Sequence, residues 1–269
     1  MPQDIDLQEL VKSVCSGVRY QAINVELVRR VGAQELAKGR SLKEAVKATR
    51  NKLHQVGGAF QETDIPYPRL MAELKTLPGS LDDLALQAFC RRVMQLHAST
   101  RERLPILERF FREALADIAP IHSILDLACG LNPLARAWMP LAPASPYFAC
   151  DIYADMVDFV EQFLIHTRQA GAAEVCDLVQ GMPDHPVQLA LALKTMPCLE
   201  QLDKEIGLRL LESVPTEYIL VSFPAHSLGG RGKGMVKNYE AHFNELVSAH
   251  SWSVKRFEFP GELAFLVSK

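Results

Sequence analysis

Three observations predict an α/β fold, with a mostly parallel sheet that closes on an antiparallel edge hairpin and an all-helical N-terminal subdomain before it. From about Ile5 to His97 apolar residues recur at three- and four-residue spacing, as in Val25, Val28, Val31 and Leu36, the period of an amphipathic helix. After Pro120 the period changes to short, β-rich apolar runs: SILDLA, YFACDI, VCDLVQ, VQLALAL, EYILVSF and ELAFLVS. Helical segments lie between several of them, the alternation that builds a parallel sheet covered on both faces. The last two runs, near Ser253 to Phe259 and Glu262 to Val267, are separated only by Pro260-Gly261, which predicts a hairpin at the sheet edge.

Within the helical half, Ser41 opens SLKEAVKATRNKL as an N-cap with Glu44 at the third helical position, a capping-box pattern. Gly57-Gly58 and the prolines Pro66, Pro68 and Pro78 mark where helices stop and turns form. One long helix is expected from about Ser99 to Ala119. A chain of 269 residues suits two domains, and the change of period divides it into 1–97 and 98–269. The hydrophobic share of 48% and charged share of 23% are those of an ordinary folded chain and exclude global disorder.

The six cysteines, Cys15, Cys90, Cys129, Cys150, Cys176 and Cys198, are dispersed and form no C-x-x-C pair, which argues against a zinc site and a disulfide framework. No metal is expected. There is no apolar run of membrane-spanning length, and the acidic start MPQDIDLQEL is unlike a signal peptide, so a cytoplasmic protein is expected.

Net charge is only −3, but it is unevenly spread. Between Glu9 and Phe60 ten basic residues (Lys12, Arg19, Arg29, Arg30, Lys38, Arg40, Lys43, Lys47, Arg50 and Lys52) face four acidic ones. Two readings stand side by side: a nucleic-acid contact surface, or a solvated helix face with ion pairs such as Glu44 with Lys47 or Lys43.

The run Ser123 to Pro133, SILDLACGLNP, is a buried strand that ends in an acidic residue and a small-residue turn. Ala128, Cys129 and Gly130 let backbone approach a ligand at the C-terminal ends of the strands, where open α/β sheets bind ligands. The G-x-G-x-x-G of a dinucleotide site is absent. Asp126 suits a ligand bearing an ammonium or sulfonium charge, as S-adenosylmethionine does, and Asp151, ending FACDI, can accept hydrogen bonds from a ribose. The other reading of the turn is a tight strand-to-helix connection and nothing more.

LHASTRERL (Leu96 to Leu104), LDLACGLNPLA (Leu125 to Ala135), CDI (Cys150 to Ile152), LKTMPCLE (Leu193 to Glu200) and SFPAHSLGGRGKGM (Ser222 to Met235) resemble the aminoglycoside-resistance 16S rRNA methyltransferases that act on guanine N7. The similarity runs in order from the basic N-terminus to GELAFLV at the C-terminus. It implies a helical ribosome-docking region followed by a Rossmann-like class I methyltransferase domain that takes S-adenosylmethionine, with the 30S subunit as partner; nothing in the sequence suggests an obligate interface, so a monomer is expected.

By matching position, Arg103 would grip the methionine carboxylate, and Asp126 with Ala128, Gly130, Leu131 and Asn132 would cradle the methionine portion. Asp151 and Ile152 would hold the ribose, Gln180 would flank the adenine, and Lys194 with Pro197 would line the mouth. Without the resemblance, Arg103 reads as a helix-surface arginine paired with a carboxylate. Arg231, Lys233, Met235 and Glu262 would position the target base, although Glu262 reads equally as a strand-edge carboxylate. Arg29, Arg30, Lys43, Lys47, Arg50, Lys52, His226 and Ser227 would meet rRNA.

This sequence departs from its resembled family at Gly181, where a carboxylate is usual unless Asp177 or Asp184 supplies it, and at Ala225 and His226, where a hydroxyl and a guanidinium are usual. Guanine N7 has a free lone pair and no proton to lose, so no general base is required. Two other readings remain: a same-fold methyltransferase for a different nucleotide, and a non-catalytic rRNA-binding relative.

Overall fold

The computed structural model describes residues 2–60, 65–225 and 234–269. Five helices fill the N-terminal part: α1 (Pro2–Cys15), α2 (Val25–Leu36), α3 (Leu42–Val56), α4 (Tyr67–Leu74) and α5 (Leu84–Met94). Asn24 starts α2 by accepting from the backbone N–H groups of Glu26 (2.9 Å) and Leu27 (3.1 Å). At the start of α3 the Glu44 carboxylate accepts from the backbone N–H (3.0 Å) and the hydroxyl (2.6 Å) of Ser41.

The expected long helix is broken. It runs as α6 (Ala98–Arg103), a 3₁₀ turn over Leu104–Ile106 and α7 (Leu107–Ala114), because Pro105 has no N–H and its ring clashes with the preceding turn. The break leaves Arg103 and Phe110 facing the same interior, with the guanidinium 5.0 Å from the ring centre.

Seven strands follow, β1 (Ile124–Leu127), β2 (Tyr147–Asp151), β3 (Gly171–Val175), β4 (Val187–Leu193), β5 (Thr216–Pro224), β6 (Ser253–Phe259) and β7 (Glu262–Ser268). They form one sheet in the order β3-β2-β1-β4-β5-β7-β6. The first five are parallel, and β7 is antiparallel to both β5 and β6. The hairpin is as expected: Phe259 opposes Glu262 across Pro260-Gly261, and Gly261 takes φ 84°, a left-handed conformation that glycine adopts without strain. The strand expected in VCDLVQ lies earlier, at GAAEV. Asp177 ends the extended chain by accepting from the N–H of Val179 with its own side chain, which folds Leu178 to Gln180 into a turn.

Helices α8 (Ala154–His166), α9 (Met196–Leu199), α10 (Ile206–Ser213) and α11 (Met235–Val247) complete the chain. Alternate strand residues serve opposite faces. Ile124, Tyr147, Leu189, Leu191 and Leu220 pack with the N-terminal helices, α7 and α8, whereas Leu125, Leu127, Ala190, Ile219 and Val221 pack with α10 and α11. The first cluster is continuous from Leu10 in α1 to Leu266 in β7, so the helical region shares its core with one face of the sheet.

The N-terminus of α2 is also fastened to the end of β2. Ile23 and Tyr153 form an antiparallel bridge, Asn24 donates its N–H to the Ile152 carbonyl (2.7 Å), and Ala154 donates its own to Ala22 (2.7 Å).

Candidate active site

A cleft opens at the C-terminal ends of β1, β2 and β4. Its walls come from both halves of the chain: Leu27, Val56, Gly57 and Phe60 on one side, and Ala128, Asp151, Asp177, Leu193 and Thr195 on the other. Only the sheet ends were visible in the sequence as a ligand site; the helical wall was not, because it is assembled by tertiary packing.

After β1 the chain turns sharply. Ala128 and Gly130 both have positive φ, 50° and 54°. A Cβ on Gly130 would stand 2.8 Å from His97 Cε1, so the imidazole lies directly on this glycine. Gly130→Ala is expected to destabilise the fold by at least about 1–2 kcal/mol, the cost of a left-handed side-chain residue, and to push His97 into the cleft. Urea unfolding together with ligand binding checks it; wild-type values in both would contradict the packing.

Asp151 ends β2 on the cleft wall. Its Oδ2 accepts from Gly130 N–H (2.9 Å) and its Oδ1 from Ile152 N–H (2.7 Å), which fixes the carboxylate and leaves lone pairs toward the cleft. Burial nevertheless pushes its pKa up to about 6.

Asp126 lies beneath the cleft floor. Its Oδ2 accepts from Asn132 Nδ2 (2.8 Å) and the Tyr147 hydroxyl (2.7 Å), and burial lifts it to about 7 despite those bonds. Leu131 is fully buried in the core. Asp126, Leu131 and Asn132 therefore shape the turn from behind.

Arg103 is buried in a chain of charges. Nε and Nη2 donate to Glu262 (3.1 and 2.6 Å), and Nη1 donates to Asn132 Oδ1 (3.1 Å). Glu262 also accepts from the Ser222 hydroxyl (2.6 Å) and lies 3.6 Å from Lys194 Nζ. Burial opposes its ionisation, but Arg103 and Lys194 outweigh burial and hold the carboxyl below its usual range. β7 is an interior strand, and Glu262, expected at the target base, is 1% exposed and faces Arg103, Lys194 and Ser222. Lys194, at φ 61°, lines the cleft and also reaches Glu102 (2.7 Å).

Gln180 is exposed in the turn after β3 and does not line the cleft. Asp177 and Leu178 do. Asp184 is exposed, and a Cβ at Gly181 would meet nothing within 4 Å. Ala225 is buried and donates its N–H to Gly261 (2.9 Å). His226, Ser227, Arg231 and Lys233 lie outside the described residues; Met235 begins α11, half-buried.

The six basic helical positions divide. Arg30 turns inward to Asp177, Arg50 donates to the Ser13 carbonyl and stacks on Tyr20, and Lys52 donates to the Gln201 carbonyl (2.7 Å). Arg29 pairs with Glu26 (3.4 Å). Lys43 and Lys47 are exposed on α3. Glu44 is spent on the Ser41 cap.

His97 and Phe60 line the cleft and were not singled out as site residues. Their rings stack at 5.9 Å, and His97 Nδ1 is buried with no hydrogen-bond partner among the described residues. Burial and the cations Arg101, Arg103 and Lys194 lower the imidazole to about 4, so it is neutral near pH 7. The position of His97 immediately before the ASTRER helix was the available signal.

A five-stranded parallel sheet closed by an antiparallel hairpin, with a carboxylate at the end of β2 facing a cleft over the β1 turn, defines a class I methyltransferase. A model of the family described as ribosomal RNA methyltransferase (FmrO) matches residues 16–266. The 16S rRNA (guanine(1405)-N(7))-methyltransferase of Micromonospora rosea is 37% identical over 268 residues, covering 99% of this chain and 98% of its own. The enzyme of the same description from Serratia marcescens is 30% identical, covering 98% and 99%. The crystal structure of the 16S rRNA methyltransferase RmtF in complex with S-adenosyl-L-homocysteine superposes with a TM-score of 0.82 at 32% identity, over 98% of each chain. This chain belongs to the ribosomal RNA methyltransferase (FmrO) family.

Proposed function

We propose that this enzyme transfers the methyl group of S-adenosylmethionine to N7 of guanine 1405 of 16S rRNA in the 30S subunit, and so confers aminoglycoside resistance. The observation that carries the reading is full-length similarity to enzymes of that description, in a chain whose cleft fits the cofactor. Asp151 offers fixed acceptors for a ribose diol, Ala128 and Cys129 of the β1 turn line the cleft, and His97 Nδ1, without a hydrogen-bond partner among the described residues, is available to a polar group. No helix among the described residues is long and apolar enough to cross a membrane; a substrate in the 30S subunit places the work in the cytoplasm, and a monomer is the proposed working state.

When bound, S-adenosylmethionine supplies an electrophilic methyl group. The protein supplies alignment, a contribution on the order of 7–11 kcal/mol when geometry is good. N7 is on the major-groove edge of the base, inaccessible within an RNA helix, so the target nucleotide is expected to flip out of its stack. A methyl group and its positive charge there would obstruct drugs of the kanamycin and gentamicin type. Residues 1–97 would carry docking and 98–269 the chemistry, with the exposed Lys43 and Lys47 meeting phosphates.

Two experiments follow. Lys43→Glu with Lys47→Glu should weaken 30S binding and flatten its salt dependence, at unchanged affinity for S-adenosylhomocysteine. Filter binding at several salt concentrations reads this, and an unchanged slope would remove α3 from the docking surface.

The second concerns pH. Ribose hydroxyls favour ionised Asp151, whose pKa in the free protein is about 6. Binding below that value must expel a proton, so S-adenosylhomocysteine affinity should fall about tenfold from pH 7.5 to pH 5. Calorimetry across that range tests it; a flat profile would contradict ribose binding at Asp151.

A further inference from the structure

Arg29 and Arg30 are adjacent in α2 and do opposite things. Arg29 faces solvent beside Glu26, whereas Arg30 points back to the cleft wall, its side chain 16% exposed and that of its partner Asp177 6%. Nε donates to Asp177 Oδ2 (3.1 Å), and Nη2 donates to Oδ1 (3.1 Å) and Oδ2 (2.8 Å). Oδ1 also accepts from Val179 N–H (3.1 Å), so the lone-pair directions of this carboxylate are filled from within the protein. Asp177 is thus committed to holding a turn.

That turn, residues 177–180, carries Leu178 on the cleft wall. It is gripped a second time from α10, where Arg209 donates to the Val179 carbonyl (3.3 Å) and pairs with Asp203 (2.7 Å). On its own side Arg30 is fixed by the fastening of α2 to the end of β2 through Ile23, Asn24 and Ala22. The strand end that bears Asp151 and the turn that bears Leu178 are therefore linked by one rigid path through α2. A planar bidentate guanidinium suits this task better than an ammonium would.

We propose that Arg30 is a positioning residue of the cofactor site: through Asp177 it sets the 177–180 turn and Leu178 against the adenosine end, so that a docking helix contributes to cofactor affinity without touching the cofactor. This rests on the reading of the cleft as the S-adenosylmethionine site. It gives Arg30, expected from the sequence to meet rRNA, a role at the cofactor site instead.

The test is calorimetric binding of S-adenosylhomocysteine and of 5′-methylthioadenosine, which has the nucleoside but no amino-acid portion. Arg30→Met is expected to weaken both ligands by the same factor, about tenfold, as for coupled neighbours, and Arg30→Lys to recover part of it. Because a lone buried charge can unfold the region, the swapped pair Arg30→Asp with Asp177→Arg serves as the second variant. It should bind both ligands more tightly than Arg30→Asp alone. Wild-type affinity in Arg30→Met, a loss confined to S-adenosylhomocysteine, or no recovery in a folded swapped pair would overturn the inference. Wild-type protein that bound neither ligand would overturn the cofactor reading, and the inference with it.

Discussion

Replacing Glu262 by alanine is expected to cost about 3–5 kcal/mol of stability, because it leaves Arg103 and Lys194 buried without their shared counter-charge. The carboxylate accepts from Arg103 twice and from Ser222, so its loss also strands the hydroxyl that orients β5 against β7. Glu262→Gln should cost less, since the amide oxygen still accepts one of these bonds. Urea unfolding of both variants measures the difference. A Glu262→Ala protein within about 1 kcal/mol of wild type would show that water reaches the site and that the cluster is not a dry ionic core.

Replacing Asp151 by alanine should abolish most cofactor affinity. Hydrogen bonds to a charged group are worth about 1.5–3 kcal/mol each, so losing a bidentate ribose contact predicts a fall of roughly a hundredfold or more in the affinity for S-adenosylhomocysteine. The variant also deprives Gly130 and Ile152 of the acceptor for their N–H groups, loosening the β1 turn. Asp151→Asn keeps an oxygen acceptor and should fall between. Calorimetry with a folded-state check by circular dichroism separates binding from unfolding. Asp151→Ala binding within threefold of wild type would place the ribose elsewhere.

What could be read from the sequence followed from local rules. The Ser41 cap, the change of period after Pro120, the hairpin at Pro260-Gly261 and the acidic end of FACDI each depend on a few neighbouring residues, and each stands where it was read. What could not be read depends on partners distant in sequence. Arg29 and Arg30 carry the same charge on one helix, and only Asp177, 147 residues away, distinguishes them. Glu262 resembles an edge carboxylate until the sheet order makes β7 an interior strand. The split of the helix at Pro105 and the early end of β3 were local signals outweighed by apolar periodicity. Phe60, His97 and Val56 belong to the cleft because the helical region and the sheet share one core.

The most direct test of methyl transfer to guanine N7 is incubation with radiolabelled S-adenosylmethionine and unmethylated 30S subunits, followed by borohydride and aniline cleavage and reverse transcription. Stoichiometric label and one strand break, at guanine 1405 of 16S rRNA, are expected. Label at another nucleotide, or none from protein that binds S-adenosylhomocysteine, would contradict it.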